Sequence, residues 1–288
     1  MKLILFLFFT FSVSAQIKGV VKDSITGKPI PYVGIWANSL GISTSSDEKG
    51  KFKLDKNSSL TFIEFFTTNY ERKKLFIKDL KKEILLIPKK NIKIDSIILT
   101  NDFQKRVLDF DKKEEKRIRL LGFNYTVLIA QYIPYYESYN AIPFLKSILF
   151  DLKNSKEAVY KIRFFKPDSS GKPSEEIGKK EIICSTEKTI LETSDPRKIK
   201  FKEELQMIDL AKYKILFPKE GLFVAIEIMD LDRNKNILRD MNNNEIQMLN
   251  PSLKIDKNSN SNVWKFENSN WIQKPDMAEF GIILILTN

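Results

Sequence analysis

Catalysis in a chain of this size usually rests on histidine, cysteine or paired carboxylates, and the 288 residues offer little of any of them. Histidine is absent. Within this chain that excludes imidazole general bases, Ser-His-Asp and Cys-His nucleophiles, and histidine-bearing zinc sites. The single cysteine, Cys184, leaves no intramolecular disulfide and no multi-cysteine metal site. It lies in the alternating apolar stretch 181–185 and reads as a small buried hydrophobe rather than a reactive thiol.

Carboxylates are the remaining chemistry. Glu227 ends Gly221-Leu222-Phe223-Val224-Ala225-Ile226-Glu227, a strand apolar on both faces, so it is the acid best placed to point inward. A glycosidase needs a second carboxylate roughly 5–10 Å away, and no spacing identifies one. The favoured reading is a strand-end acid, exposed or paired with lysine. Glu175 and Glu176 read as loop-borne and superficial. The run from Asp230 to Asn236 places oxygen ligands at alternate positions, as calcium loops do. Lys235 stands where such a loop needs glycine and Met241 where it needs a bidentate glutamate, so a solvated polar loop is expected. No cofactor and no metal follow from these residues. A softer candidate is aromatic: Tyr135, Tyr136 and Tyr139, in the apparent loop 134–140, offer faces on which sugar rings could stack, with Tyr132, Trp264 and Trp271 nearby in type.

The elements that must carry these residues are strands. Met1-Lys2, an apolar run from Leu3 to Phe11 and small residues at 13–15 have the three-part form of a secretory signal, with cleavage expected between Ala15 and Gln16. The run is shorter than the ~20 residues a permanent helical span requires, and no other stretch is long and apolar enough. From Gln16 the parity alternates. Asp23–Ile30, Asn38–Gly41 and Asp47–Gly50 carry turn chemistry, and seven short strands end near Pro88. Lys+Arg 48 against Asp+Glu 37 gives +11, which points to anionic neighbours or to compositional bias, since the lysines are dispersed. No nucleic-acid recognition signature accompanies the charge. Residues 101–122 are charge-dense and read as a linker with helical tendency, Val107, Leu108 and Phe110 forming one side. Beyond Gly122 the strand pattern resumes at 125–133, 144–152, 159–165, 177–183, 199–205, 222–229 and 280–286, with Trp264 and Trp271 between the last two.

Particular residues carry a resemblance. Gly19, Val21, Asp23, Thr26, Gly27 and Pro29, then Asp47, Gly50 and Phe52, then Thr67-Thr68-Asn69-Tyr70 and Leu86-Ile87-Pro88, resemble the carboxypeptidase-like regulatory domain, a transthyretin-like sandwich. Asn69 stands where that family has glycine, and asparagine is the next-best residue for a left-handed backbone. The resemblance implies a domain without protease chemistry of its own. It is of a kind found at the N-termini of exported and outer-membrane proteins of Bacteroidetes-type bacteria. The segments at 160–177 and 208–229 are similar to a region that often follows it there, with no activity attached.

The expected architecture is therefore all-β: a signal (1–15), a transthyretin-like sandwich (16–100), a charged, partly helical linker (101–122) and a second, jelly-roll-like sandwich (123–288). The expected function is that of a non-enzymatic exported module of the periplasm, outer membrane or cell surface. It would bind an envelope protein or glycan, not nucleic acid, or serve an outer-membrane barrel protein, with no membrane-spanning segment once the signal is removed. The alternative is a carboxylate-based polysaccharide hydrolase or lyase in the second sandwich.

Overall fold

The computed structural model describes residues 16–39, 41–56, 58–90, 106–109, 118–153, 157–186, 205–239, 243–256 and 262–288. The expected signal, with Ala15, lies outside them, as do 101–105 and 110–117 of the expected linker; Gln16 opens the first strand. Among the described residues the chain is all-β, its helical pieces being single 3-10 turns of three residues. No described helix is long and apolar enough to cross a membrane.

The first sandwich comprises β1 (Gln16–Asp23), β2 (Gly34–Ala37), β3 (Ser43–Ser45), β4 (Lys51–Asp55), β5 (Phe62–Phe66), β6 (Lys73–Phe76) and β7 (Glu83–Leu86). They form two sheets, β4-β1-β7 and β3-β2-β5-β6. Each pairing is antiparallel except β1 with β7, which is parallel. The chain changes sheet between β6 and β7 and so re-enters beside β1 in the same direction. In β4 the parity is clean: Phe52 and Leu54 enter the core while Lys51, Lys53 and Asp55 stay outside. Val21, Ile35, Phe52, Ile63, Phe65 and Ile84 fill the space between the sheets.

The motif residues fix the turns. The Asp23 carboxylate accepts from the backbone N–H groups of Ile25 and Thr26 at 2.8 and 2.7 Å, and from the Tyr70 hydroxyl at 2.9 Å. These bonds, the one from Thr26 foremost, hold its carboxyl below the usual carboxylate range, while burial and then Asp23 push Tyr70 up to about 12. Asp47 does the same for the second turn, accepting from the N–H groups of Lys49 and Lys51 at 2.8 Å each. Gly50 has φ +71°, and a Cβ there would meet the Val21 carbonyl oxygen at 2.7 Å. Asn69 takes the left-handed conformation expected of it, at φ 67°.

The second unit contains β8 (Arg106–Asp109), β9 (Ile118–Phe123), β10 (Val127–Ile133), β11 (Phe144–Lys153), β12 (Val159–Pro167), β13 (Pro173–Ser185), β14 (Leu205–Asp209), β15 (Leu222–Ile228), β16 (Lys235–Arg239), β17 (Glu245–Asp256), β18 (Val263–Glu267), β19 (Asn270–Gln273) and β20 (Ile282–Thr287). One sheet runs β13-β12-β15-β10-β18-β19, and a second runs β16-β17-β11-β20-β8 with β14 and β9 attached to β11 and β17. The segment expected to lean helical is thus corrected where it is described. β8 pairs with β20 and β9 with β17, because edge backbone needing partners outweighs local propensity.

The sheets stack in four layers. The six-stranded sheet packs one face on the seven-stranded sheet, through Ile129, Ile162, Val224 and Ile226 against Ile148, Phe150, Leu253 and Leu284. Its other face, through Leu128, Ala130, Phe165, Phe223, Ala225 and Phe266, packs on Trp36 and Phe66 of the first sandwich. β2 is therefore buried on both sides, with Ile35 and Ala37 facing one core and Trp36 the other.

Candidate functional site

The junction of the two units holds a cluster of buried charge. Lys161 and Arg163 alternate with Tyr160, Ile162 and Phe164 along β12 and so face the first sandwich. Their side chains are about 1% exposed. Arg163 grips Glu176 of β13 with both prongs of its fork, Nε to Oε1 and Nη2 to Oε2 at 2.8 Å each, and donates from Nη1 to Glu227 Oε2 at 3.2 Å. Its guanidinium also lies 3.8 Å from the Phe66 ring centroid. Thr68 donates to Glu176 at 2.7 Å. Lys161 donates to Glu181 at 2.8 Å and to Thr67 at 3.2 Å, and Thr67 itself donates to Glu181. Two hydroxyls of the first sandwich thereby complete an ion network rooted in the second.

Burial works against the charges of Glu176, Glu227 and Arg163, and the partners outweigh it in two of the three. For Glu176, burial would raise the pKa, but the charge and bonds of Arg163 prevail and hold it below the usual range. For Glu227, burial prevails over Lys161 and Arg163, and its carboxyl is pushed up. For Arg163, burial opposes the charge, yet Glu176 and then Glu227 keep the guanidinium more firmly protonated than usual. Glu227 departs from the favoured reading of an acid exposed or paired with lysine: it is fully buried and bonds Arg163, and it does not line an open cleft. Glu176 departs from its expected place on a surface loop: it lies on β13 with its side chain tucked beneath the first sandwich, while Glu175, the preceding residue, is exposed.

The aromatic candidates are redistributed. Tyr139 is 1% exposed and packs edge-on to Phe217 at 5.3 Å, so it is a core ring and not a stacking face. Tyr135 also packs on Phe217 and bonds Asn140 through its hydroxyl. Of the three, Tyr136 presents the exposed ring. Trp264 and Trp271 lean on the junction core through Phe223, Phe165 and Phe266. The calcium-like run closes on itself, with Lys235 bonding Asp232 at 3.0 Å and pairing with Asp230 at 3.3 Å. Among the described residues no group of three or more His, Cys, Asp or Glu is placed to hold a metal. Cys184 is buried, as expected, and burial pushes its thiol up to about 12.

Between the units, on the side of β1 and β4, opens a cleft of about 830 Å³. Lys18, Val20, Lys51 and Lys53 line one wall, and Asp230, Asp232, Arg233 and Lys235 of the second unit line the other. Asp47 and Glu48 stand at its rim, and Arg233 reaches across to Glu48 at 3.1 Å. Thr126 also joins the two units: it accepts from Ser43 through its carbonyl, shares a hydroxyl bond with Ser45 at 3.0 Å and accepts from the Asp230 N–H at 2.9 Å. Sequence reasoning missed both the network and the cleft. The available signal was the pair of cations at 161 and 163 inside an otherwise apolar strand.

No curated protein matches the sequence. Among solved structures, the chain is similar to the clostridial cysteine protease Cwp84 after propeptide cleavage, at 13% identity and a TM-score of 0.40 over 86% of this chain and 51% of that one. It is also similar to the cysteine protease and lectin-like domains of Cwp84, a surface layer associated protein of Clostridium difficile. That match has 12% identity and a TM-score of 0.37, over 86% of this chain and 45% of that one. The chain spans about half the length of those structures, and similarity so distant carries no functional argument. At the N-terminus the match is to a family: residues 17–99 fit the CarboxypepD_reg-like domain, and the first sandwich is a carboxypeptidase-like regulatory domain.

Proposed function

We propose that the protein is an exported, non-catalytic binding module of the cell envelope that holds a protein or glycan ligand in the cleft shared by its two sandwiches. The observation that carries this reading is the cleft itself, about 830 Å³ with walls from both units, within the usual size range of ligand sites. The competing hydrolase reading needs two uncommitted acids facing such a space, whereas Asp230 and Asp232 pair with Lys235, Glu48 pairs with Arg233, and Asp47 accepts from backbone N–H groups. The regulatory type of the first domain fits binding in place of turnover. The test combines glycan and peptide arrays with a hydrolysis panel. Full-length protein should bind without turning over any member, and Val20→Trp, which fills the cleft from β1, should abolish the binding. Hydrolysis at enzyme-like rates, or binding indifferent to Val20→Trp, would defeat the proposal.

A further inference from the structure

The two walls of the cleft differ in how their charges are satisfied, and the difference points to a ligand class. On the second unit's wall, Asp230 and Asp232 pair with Lys235, and Arg233 pairs with Glu48 of the first unit. On the rim, Asp47 is occupied by backbone N–H groups. On the β1–β4 wall, Lys18 stands directly opposite Lys53 in the antiparallel register, and Lys51 stands opposite Val20. Like charges at such a position repel, and a fold normally puts an opposite charge or a neutral residue there. Lys22, the next outward lysine of β1, has such a partner in Glu83. Lys18, Lys51 and Lys53 form no ion pair among the described residues. Lys53 reaches Asp232 only as a minor influence behind Lys235 in lowering that carboxyl.

We infer, building on the cleft reading above, that this wall receives the charged groups of an acidic polysaccharide. Three lysines on one strand pair make a basic patch. Side chains of Lys51 and Lys53 repeat at about 7 Å along β4, with Lys18 across from Lys53 at about 5 Å between Cβ atoms. Cations spread over such distances suit a chain carrying several anions better than one small anion. The facing carboxylates have accepting capacity left over and are complementary to donors, which sugar hydroxyls are. A ligand rich in both anions and hydroxyls satisfies both walls. A nucleic acid does not, because the lining of the cleft offers no exposed ring on which its bases could stack. Phe52, the aromatic residue lining it, is turned into the core at 3% exposure. Lysine in place of arginine also fits point-charge contact with dispersed anions rather than planar, bidentate recognition.

The experiment measures binding of full-length protein to polygalacturonate (carboxylated) and heparin (sulfated), with dextran and methyl-esterified pectin as neutral counterparts and single-stranded DNA as a competing polyanion. Retention on at least one acidic glycan, absent on both neutral ones and weakened by salt, is expected. Lys18→Gln/Lys51→Gln/Lys53→Gln should weaken it by about tenfold and flatten the salt dependence. Lys172→Gln/Lys219→Gln, remote from the cleft in the sequence and not among its lining residues, should leave it unchanged. The three cleft lysines are outward-facing, so the triple variant should keep its melting temperature. Equal affinity of that variant for the acidic glycan overturns the inference, as does tighter binding of DNA or no retention on either acidic glycan. Binding of neutral glycans that Val20→Trp abolishes and the lysine variant does not would overturn this inference while leaving the cleft reading in place.

Discussion

Arg163 is the residue whose loss should reveal most about how the two sandwiches hold together. In Arg163→Met the guanidinium disappears and its volume is roughly kept. What remains is Glu176 without its two 2.8 Å bonds and Glu227, fully buried, without its 3.2 Å partner. Breaking a buried pair from one side costs about 3–5 kcal/mol, mostly as the penalty of the stranded charge. Lost contact with the Phe66 face adds to this. Arg163→Lys, which keeps the charge and loses the fork, should fall between the variant and the native protein. The chain supplies its own assay. Its three tryptophans, Trp36, Trp264 and Trp271, all lie in or against the core between the units. Urea unfolding followed by tryptophan emission should show a single transition in the native protein. The midpoint should move to markedly lower urea in Arg163→Met, and Arg163→Met/Glu176→Gln/Glu227→Gln should recover a substantial part of the loss. A shift worth less than about 1 kcal/mol would mean the joint does not depend on the network, and the reasoning would be refuted.

Three further outcomes follow from the same geometry. A methyl group added at Gly34 would overlap the Trp36 ring and lie 2.7 Å from Glu227 Oε1, so Gly34→Ala should destabilise by about 1–3 kcal/mol and red-shift the emission; an unchanged melting temperature counts against it. The two glutamates on Arg163 should respond oppositely to acid. Glu176, held below the usual 4.5, contributes stability above that value that is lost as pH falls through its lower folded pKa, so Glu176→Gln should destabilise at pH 7 and shrink that acid-side loss. Glu227 is pushed above 4.5 and gains stability as pH falls through its raised folded pKa, so Glu227→Gln should compare best with the native protein at pH 7 and lose ground on acidification; parallel curves from pH 3 to 7 would contradict the assignment. Cys184, its thiol pushed up to about 12 by burial, should resist a disulfide reagent until the protein unfolds; stoichiometric labelling of the native state would show otherwise.

The first sandwich was largely legible because β4 and β7 alternate cleanly between core and solvent and its turns carry diagnostic residues. Asp23, Asp47, Gly50 and Asn69 do in the structure what their types suggest. The second unit was legible as strands but not as an arrangement. Parity tells which residues share a face; it does not tell what lies over that face. Lys161 and Arg163 alternate with core residues and so look solvated, and only a second domain seated on top turns them into buried ions. Glu176 was misplaced for the same reason, since the polar run around it hides a thirteen-residue strand. Tyr139 sits in a loop-like string of polar and aromatic residues, yet Phe217, distant in sequence, closes over it. The stretch 106–109 became an edge strand because β20 had backbone to share. The cleft depends on the docking of two surfaces and could not be read from either alone.

The sharing of β2 between two cores has a consequence for inheritance. A regulatory domain of this type is easily pictured as a bead to be restrung among different proteins. This one has given its outer sheet to its neighbour. Cut away near Pro88, it would carry Trp36 and Phe66 into water as an oily scar, and its former partner would bare Leu128, Phe223 and Phe266. The pair should therefore travel and diversify as a unit, and separately made halves should seek each other out in solution without the intervening chain.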